Sequence, residues 1–197
     1  MEKYVVDEHK QDNYVVKVYQ DESPYSPRED DNLGTMICFH KRYDLGDKHN
    51  YKDKDFDSWD EMKEQILLDY KVLIIKPLYV YDHSGITIST SPFSCRWDSG
   101  QIGWVIIDEK RLQYITGDAS GHNETNLEEI IDSEIKTYDK YITGDCYGYK
   151  IYEVEVCDKG HEHKTELDSC WGYYDEDDCE SEAKGIIEHY QLKLQTA

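Results

Sequence analysis

The stretch with the most reactive side chains lies near the middle of the chain and reads YDHSGITISTSPFSCRWDSGQIGWVII, from Tyr81 to Ile107. Asp82, His83 and Ser84 are consecutive in it, and they are the residue types of a Ser-His-Asp relay. Neighbouring side chains diverge along an extended chain, so these three residues cannot form such a relay by themselves. Together with the next glycine they predict a tight turn.

This turn predicts a hairpin in which Leu78–Tyr81 pairs with Ile86–Thr90. Asp98-Ser99-Gly100 indicates a second turn, and the apolar run Trp104–Ile107 that follows predicts a core strand. The polar residues of this stretch are therefore expected to lie on two turns and on a strand rich in hydroxyl groups.

Cys95 is the second reactive group of the stretch. Its neighbour Arg96 supplies a positive charge, and a nearby cation favours the nucleophilic thiolate form of a cysteine. His40, His83 and His122 are the candidate bases for such a nucleophile. No recognised cysteine-nucleophile motif surrounds Cys95, so catalysis at this place is one of several open hypotheses.

A group of cysteine and histidine residues near the C-terminus contains Cys157, His161, His163, Cys170 and Cys179. Thiolates and imidazoles are the usual ligands of a tetrahedral zinc site. The chain has no CxxC pair, and the spacings match no familiar zinc finger. The alternative is a charged turn between two strands, with Cys170 in the core and the two histidines in solvent.

The chain is strongly acidic, with 43 Asp and Glu against 22 Lys and Arg and a net charge of −21. Its 18 Tyr and 4 Trp are typical of a folded domain rather than of a disordered acidic tail. Such a surface repels nucleic acid and anionic membranes and attracts basic partners. Direct binding of nucleic acid through its phosphates is therefore not expected.

No apolar run is long enough for a membrane span, and the first ten residues lack the pattern of a signal peptide. These features predict a cytoplasmic protein. Its six cysteines are then expected to be thiols or ligands rather than disulfides.

The elements that must position these residues are predicted from hydrophobic periodicity. The predicted strands are Tyr4–Val6, Tyr14–Tyr19, Thr35–His40, Val72–Ile75, Leu78–Tyr81, Ile86–Thr90, Trp104–Ile107 and Tyr147–Val156. Helices are predicted from Ser58, which with Glu61 resembles a capping box, from Asn126 to Gly144, and over Asp178–Leu194. A short helix is predicted at 108–115. Strands come in runs, which favours an α+β fold with a mostly antiparallel sheet and about three main helices. We expect one domain over residues 1–197, and no cofactor is predicted.

Four segments resemble a family of proteins from bacteriophages and bacterial mobile elements. These segments are Ser26–Asp47, Pro77–Ile106, Glu134–Tyr149 and Asp168–Tyr174. The resemblance covers most of the chain and implies a counter-defence factor, similar to acidic anti-CRISPR and antirestriction proteins. The partner it implies is a basic host nuclease or its nucleoprotein complex.

The hypothesis that follows is a non-enzymatic inhibitor that occupies the basic nucleic-acid-binding surface of a CRISPR effector nuclease. The acids assigned to partner binding are those of exposed loops and helix starts: Asp30, Asp31, Asp55, Asp57, Asp175, Glu176, Asp177 and Asp178. The run Asp175–Asp178 lacks the spacing and glycine of a calcium-binding loop and precedes the last predicted helix. The alternatives are a small enzyme that uses the Asp82/His83/Cys95 region and a zinc-stabilised binding module.

Overall fold

The computed structural model describes residues 4–118 and 124–195, and these fall into two compact units. The central unit is the described part of Ser26–Thr143, and the terminal unit is that of Met1–Tyr25 together with Gly144–Ala197. Each unit has its own antiparallel sheet of four strands, and the described residues contain four α-helices. The predicted α+β class is confirmed, whereas the single domain over 1–197 stays a prediction.

In chain order the strands are β1 (Val5–Gln11), β2 (Tyr14–Gln20), β3 (Thr35–Cys38), β4 (Val72–Asp82), β5 (Ile86–Ser89), β6 (Ser99–Asp108), β7 (Tyr147–Val156) and β8 (Glu162–Tyr173). The helices are α1 (Trp59–Asp69), α2 (Glu109–Thr116), α3 (Glu124–Thr143) and α4 (Glu176–Gln195). Within the described ranges, no helix is long and apolar enough to cross a membrane.

Strand β6 is an interior strand of the central sheet, whose order is β3-β6-β4-β5. Its residues 102–108 are all buried, as a continuous apolar run predicts for a strand covered on both faces. The core on the α1 side includes Ile37, Met62, Ile66, Trp104 and Ile106. The core on the α3 side includes Met36, Val105, Ile107, Leu127, Ile131, Ile135 and Tyr138. The α3 members of this core repeat at helical spacing, and the helix predicted from Asn126 is confirmed.

The terminal sheet has the order β1-β2-β7-β8, and α4 packs against it. Alternate residues of β2 and β7 face the helix, as the period of two predicts. The core that they form with α4 contains Tyr14, Val16, Val18, Tyr149, Ile151, Cys179, Ala183 and Ile187. Helix α4 begins two residues before the predicted start at Asp178, and the side chain of Leu194 lies outside the described residues.

Two local predictions are wrong. The segments Val72–Ile75 and Leu78–Tyr81 form one continuous strand, β4, which runs through Pro77. Strand β5 pairs only with Tyr79–Asp82, so this proline lies where β4 has a neighbour on one side alone, a place where prolines are tolerated. Ser99 and Gly100 were expected in a turn, but they pair with β4 as the first residues of β6.

The segment between β2 and β3, predicted to be an exposed and irregular loop, contains a buried arginine. The side chain of Arg28 is 6% exposed and forms ion pairs with Asp47 and Glu134. It also donates a hydrogen bond of 2.6 Å to the carbonyl oxygen of Gly34. The Glu134 carboxylate accepts the N–H groups of Leu33 and Gly34 at 2.7 and 2.9 Å. This network joins the loop to α3.

We expect Arg28→Lys to lower the free energy of unfolding by about 2 kcal/mol, because lysine cannot reproduce the two hydrogen bonds to Asp47. Burial raises the pKa of Glu134 above its usual range, so this carboxyl binds a proton more readily in the folded than in the unfolded state. Ionisation of Glu134 therefore lowers the free energy of unfolding as the pH rises through its folded-state pKa. Below that pH Glu134 is neutral, so the destabilisation caused by Arg28→Lys should be smaller.

Urea denaturation at acidic and neutral pH measures both effects. The matched control is Arg96→Lys, because the Arg96 side chain is exposed and makes no ion pair with a described residue. Equal losses in the two variants would contradict a structural role for Arg28.

Candidate functional site

A cleft of about 700 Å³ opens in the central unit where β4 ends and β6 begins, and we call it the central cleft. It lies beside the reactive stretch that the sequence singles out. Its lining consists of Phe39, His40, Lys41, Arg42, Asp53, Trp59, Val80, Asp82, Trp97, Asp98, Ser99, Gln101 and Ile102.

The tight turn between β4 and β5 forms as predicted. Strand β4 ends at Asp82, and the N–H of His83 donates to the carbonyl oxygen of Gly85 at 3.0 Å. Ser84 has a φ of 55°, in the left-handed region that a tight turn of this kind requires. The N–H of Asp82 also donates to the carbonyl oxygen of Asp98 at 2.8 Å, which ties the end of β4 to the start of β6.

Asp98 is the point at which two of the reactive side chains meet. Its carboxylate lies 3.2 Å from Nδ1 of His83 and 3.8 Å from Sγ of Cys95. The hydroxyl of Ser99 donates to the carbonyl oxygen of Cys95, which holds the loop before β6 against the strand. The sequence placed Asp98 in a turn and assigned it no role.

Asp82 is the centre of a second polar group on the cleft wall. Arg42 donates to both of its carboxylate oxygens, and Nε2 of His40 lies 3.5 Å from Oδ2. This contact raises the pKa of Arg42 above its already high value, so the guanidinium stays charged. His40 and Arg42 follow β3 directly, and the pairing of β3 with β6 brings them near Asp82.

This geometry does not assemble a nucleophile relay. The side chains of Asp82, His83 and Ser84 point to three different partners, as expected for consecutive residues. The thiol of Cys95 contacts a carboxylate rather than a histidine, and the Arg96 guanidinium makes no contact with a described polar group. His122, the third candidate base, lies outside the described residues. Asp82 and Asp98, the carboxylates at the centres of the two polar groups, both line the central cleft.

Aromatic rings complete the walls of the central cleft. The rings of Phe39 and Trp59 lie 6.5 Å apart and are stacked, and Trp97 is 95% exposed. The sequence reading missed Trp97, Arg42 and the role of Trp59 here. The basic and aromatic run after β3, FHKRY, was the signal present in the sequence. Asp82 on β4, the partner of Arg42 in this run, is 40 residues away.

The five residues of the zinc hypothesis are not brought together. His163 pairs with Glu155 and Cys170 pairs with Tyr149, so they lie seven positions and roughly 23 Å apart along β8. Cys170 is exposed rather than in the core. The described residues contain no group of three or more His, Cys, Asp or Glu that could hold a metal. All six cysteines are free thiols, as predicted.

Cys179 is a core residue of the terminal unit rather than a ligand. It is fully buried against β2 and β7. Burial raises the pKa of its thiol to about 12, so it is protonated at neutral pH. His161 lies in the turn between β7 and β8, and His163 is the second residue of β8. Both side chains are exposed, as the alternative interpretation predicted.

The acids of Asp175–Asp178 lie at the start of α4. Asp175 caps the helix, because its carboxylate accepts the N–H of Asp177 at 3.1 Å. Glu176, Asp177 and Asp178 occupy the first turn and are exposed, where negative charge complements the helix dipole. The structural and the partner-binding interpretations of these three carboxylates are compatible, because their side chains remain open to solvent.

The other four acids assigned to partner binding lie in the central unit and are exposed. Asp30 and Asp31 follow a 3₁₀ turn at Pro27–Glu29, and Asp55 and Asp57 flank Phe56 before α1. None of these four makes an ion pair with a described residue, and the same holds for the three exposed carboxylates of α4.

Comparison of the chain with models of protein families, with curated proteins and with solved structures yields no match.

Proposed function

We propose that this protein is a cytoplasmic, non-enzymatic inhibitor that binds a basic host protein of nucleic-acid defence, of the CRISPR effector nuclease class. It occupies the surface through which that nuclease holds nucleic acid. If the chain is encoded by a phage or mobile element, as the family resemblance implies, the compartment is the cytoplasm of the bacterial host.

The observation that carries this proposal is the set of exposed carboxylates without a cationic partner. Three of the partly buried acids, Asp47, Asp82 and Glu134, have an arginine as partner. The exposed acids of the first turn of α4 and of the segments before β3 and α1 have none among the described residues. Their charge is therefore available to a basic partner.

A CRISPR effector holds its guide and target in a positively charged channel and reads a short DNA motif with arginines. Carboxylates form charge-assisted hydrogen bonds with such arginines, as phosphates do. A folded acidic surface can thus take the positions of phosphates, and long-range attraction speeds the encounter. Binding of this kind should weaken strongly as the salt concentration rises.

Capture from a bacterial lysate tests the proposal. The biotinylated full-length protein is incubated with lysate of a strain that carries a CRISPR system, at about 50 mM and about 500 mM salt. The expected result is recovery of a basic nuclease at low salt alone, and inhibition of DNA cleavage by that nuclease after purification. Recovery of no nuclease at low salt, or full cleavage activity in the presence of the protein, would contradict the proposal.

The second candidate function is a small enzyme that uses the central cleft, and the contacts of His83 and Cys95 with Asp98 favour it.

Under the inhibitor proposal, Cys95→Ala and His83→Ala should retain full inhibition. They should also change the melting temperature by no more than about 2 °C, because both sites are partly or fully open to solvent. Inhibition lost at an unchanged melting temperature would transfer the assignment to the enzyme. Inhibition assays and thermal denaturation of both variants decide this.

A further inference from the structure

A second pocket, of about 310 Å³, lies in the terminal unit at the end of β2, and we call it the aromatic pocket. Three of its lining residues are aromatic, Tyr4, Tyr19 and Trp171, and two are acidic, Asp21 and Glu22. None of its lining residues is a lysine or an arginine. It lies outside the central cleft and contains none of the acids assigned above.

Gly148 makes room for the indole ring of Trp171. This glycine pairs with Tyr19 on β2 and with Trp171 on β8, so the three residues stand side by side across three strands. A Cβ atom at residue 148 would overlap the indole ring and lie 2.9 Å from the carbonyl oxygen of Cys170. The ring therefore occupies space that a side chain on β7 would fill, and its centroid lies 6.0 Å from that of Tyr19.

A β-bulge aims Trp171 at this place. The pairing of β7 with β8 shifts by one residue next to Gly148, and the extra residue is Gly172, whose φ of 92° favours glycine. Bulges of this kind redirect a side chain and are frequent near functional sites. The opposite wall is also held in an unusual conformation, because Tyr4 has a φ of 80° while its carbonyl oxygen accepts the N–H of Gln20 at 2.9 Å.

The chemistry of the aromatic pocket selects an organic cation. Aromatic faces attract ammonium and guanidinium groups through their quadrupole, and rings grouped around a pocket are the recurring form of such a site. The carboxylates of Asp21 and Glu22 add direct charge attraction. The terminal unit as a whole has 20 Asp and Glu against 8 Lys and Arg, so its formal charge is −12 and it draws cationic surfaces toward it.

We propose that the aromatic pocket binds the side-chain cation of a lysine or arginine on the surface of a partner protein. The alkyl part of that side chain packs against the rings while its charged end reaches Asp21 and Glu22. This inference does not require the partner to be a nuclease, and it therefore stands apart from the proposed function.

Titration of the full-length, ¹⁵N-labelled protein with short blocked peptides tests this binding. The probes are acetyl-Gly-Lys-Gly-amide, the arginine equivalent, and a norleucine peptide that has the alkyl chain without the charge. The observed signal is the indole N–H resonance of Trp171, assigned by its loss in Trp171→Phe. We expect the two cationic peptides to bind with dissociation constants on the order of 1 mM and the norleucine peptide not to bind.

Three variants locate the site. Asp21→Asn combined with Glu22→Gln should weaken binding by about fivefold, and Gly148→Ala by about tenfold, because the added methyl group displaces the indole ring. The control, Glu155→Gln combined with Asp158→Asn, removes the same charge from exposed positions near the β7–β8 turn and should change binding by less than about twofold.

Equal binding of the norleucine peptide, or no effect of the Asp21 and Glu22 changes, would overturn the inference. A Gly148→Ala variant that is folded by circular dichroism and binds the cationic peptides with unchanged affinity would also overturn the inference. None of these results bears on nuclease binding, which is assigned to acids outside the aromatic pocket, so failure of one proposal leaves the other in place.

Discussion

Replacing Gly103 with alanine should lower the free energy of unfolding by about 4 kcal/mol and leave the central unit largely unfolded near physiological temperature. Gly103 lies in the middle of β6, where it pairs with Cys38 of β3. A Cβ atom here would overlap the carbonyl oxygen of Ile37 and lie 2.6 Å from the Cα of Cys38. Both are backbone atoms of a paired strand, so no side-chain rotation relieves the clash.

The matched control is Gly100→Ala, in the same strand. Apart from its two chain neighbours, no atom of a described residue lies within 4 Å of the place where its Cβ would stand, and the position is exposed. We expect this variant to remain within about 0.5 kcal/mol of the natural protein, as is usual for surface substitutions. Thermal and urea denaturation of both variants measure the difference. A small loss for Gly103→Ala would show that β3 and β6 can separate without cost.

The same close approach shapes the central cleft. The N–H of Phe39, the residue that follows β3, donates to the carbonyl oxygen of Ile102 at 2.8 Å. The chain then leaves the sheet at His40. A shift of β3 would move His40 and Arg42 away from Asp82. A destabilised but folded variant should therefore also lose the ion pair between Arg42 and Asp82.

Local signals in the sequence were sufficient for most of the helices and strands. The stripe of α3 repeats at helical spacing, and Ser58 accepts the N–H of Glu61 at 3.1 Å, as its capping position predicts. The carboxylate of Glu61 accepts the N–H of Asp57 rather than that of Ser58, a detail that depends on how the chain enters the helix. Patterns over four to eight residues contain this information because burial repeats with the period of the element.

Strand β8 shows where such patterns fail. Its first five residues are all exposed and charged or polar, so no alternation marks them as a strand. Residues 162–164 pair with residues 154–156 of β7, beyond Glu153, where the pairing of β2 with β7 ends. Backbone hydrogen bonds to β7 hold this segment, and such bonds leave no trace in the order of side chains.

The candidate site depended on contacts between distant parts of the chain. Asp82 and Asp98 were visible as turn residues, but their partners Arg42 and His83 follow from the register of β3, β4 and β6. The pairing of Arg28 with Glu134 spans more than 100 positions, and most residues of the loop around Arg28 are polar. No local pattern distinguishes an arginine that turns inward from one that stays in solvent.

The division of the acids into two classes is the structural finding that bears most on function. Half-buried carboxylates such as those of Asp47, Asp82 and Glu134 are held by arginines or backbone N–H groups, as the cost of burying a charge requires. The exposed acids at the start of α4 and before β3 and α1 are not needed for folding by that argument. Interaction with the helix dipole accounts for only a few tenths to about one kcal/mol of stability for each acid in the first turn of α4.

Neutralising the acids at the start of α4 should therefore weaken partner binding far more than it weakens the fold. The variant combines Asp175→Asn, Glu176→Gln, Asp177→Ser and Asp178→Asn, and asparagine at residue 175 can still cap the helix. We expect its affinity for the captured nuclease to fall by about 100-fold or more at low salt, because up to three charge-assisted contacts of Glu176, Asp177 and Asp178 to arginine or lysine are lost. The dependence of affinity on salt concentration should flatten in parallel.

The control removes four exposed acids that lie elsewhere and form no ion pair with a described residue. These are Glu64, Glu128, Glu129 and Asp158, changed to Gln or Asn. Both variants lose the same formal charge, so a general effect of net charge would weaken them equally, whereas a specific surface on α4 would affect only the first. Binding isotherms at several salt concentrations, with circular dichroism to verify folding, separate these outcomes. Unchanged affinity of the α4 variant would exclude this group of acids from the interface and leave Asp30, Asp31, Asp55 and Asp57 as the acids through which the inhibitor could act.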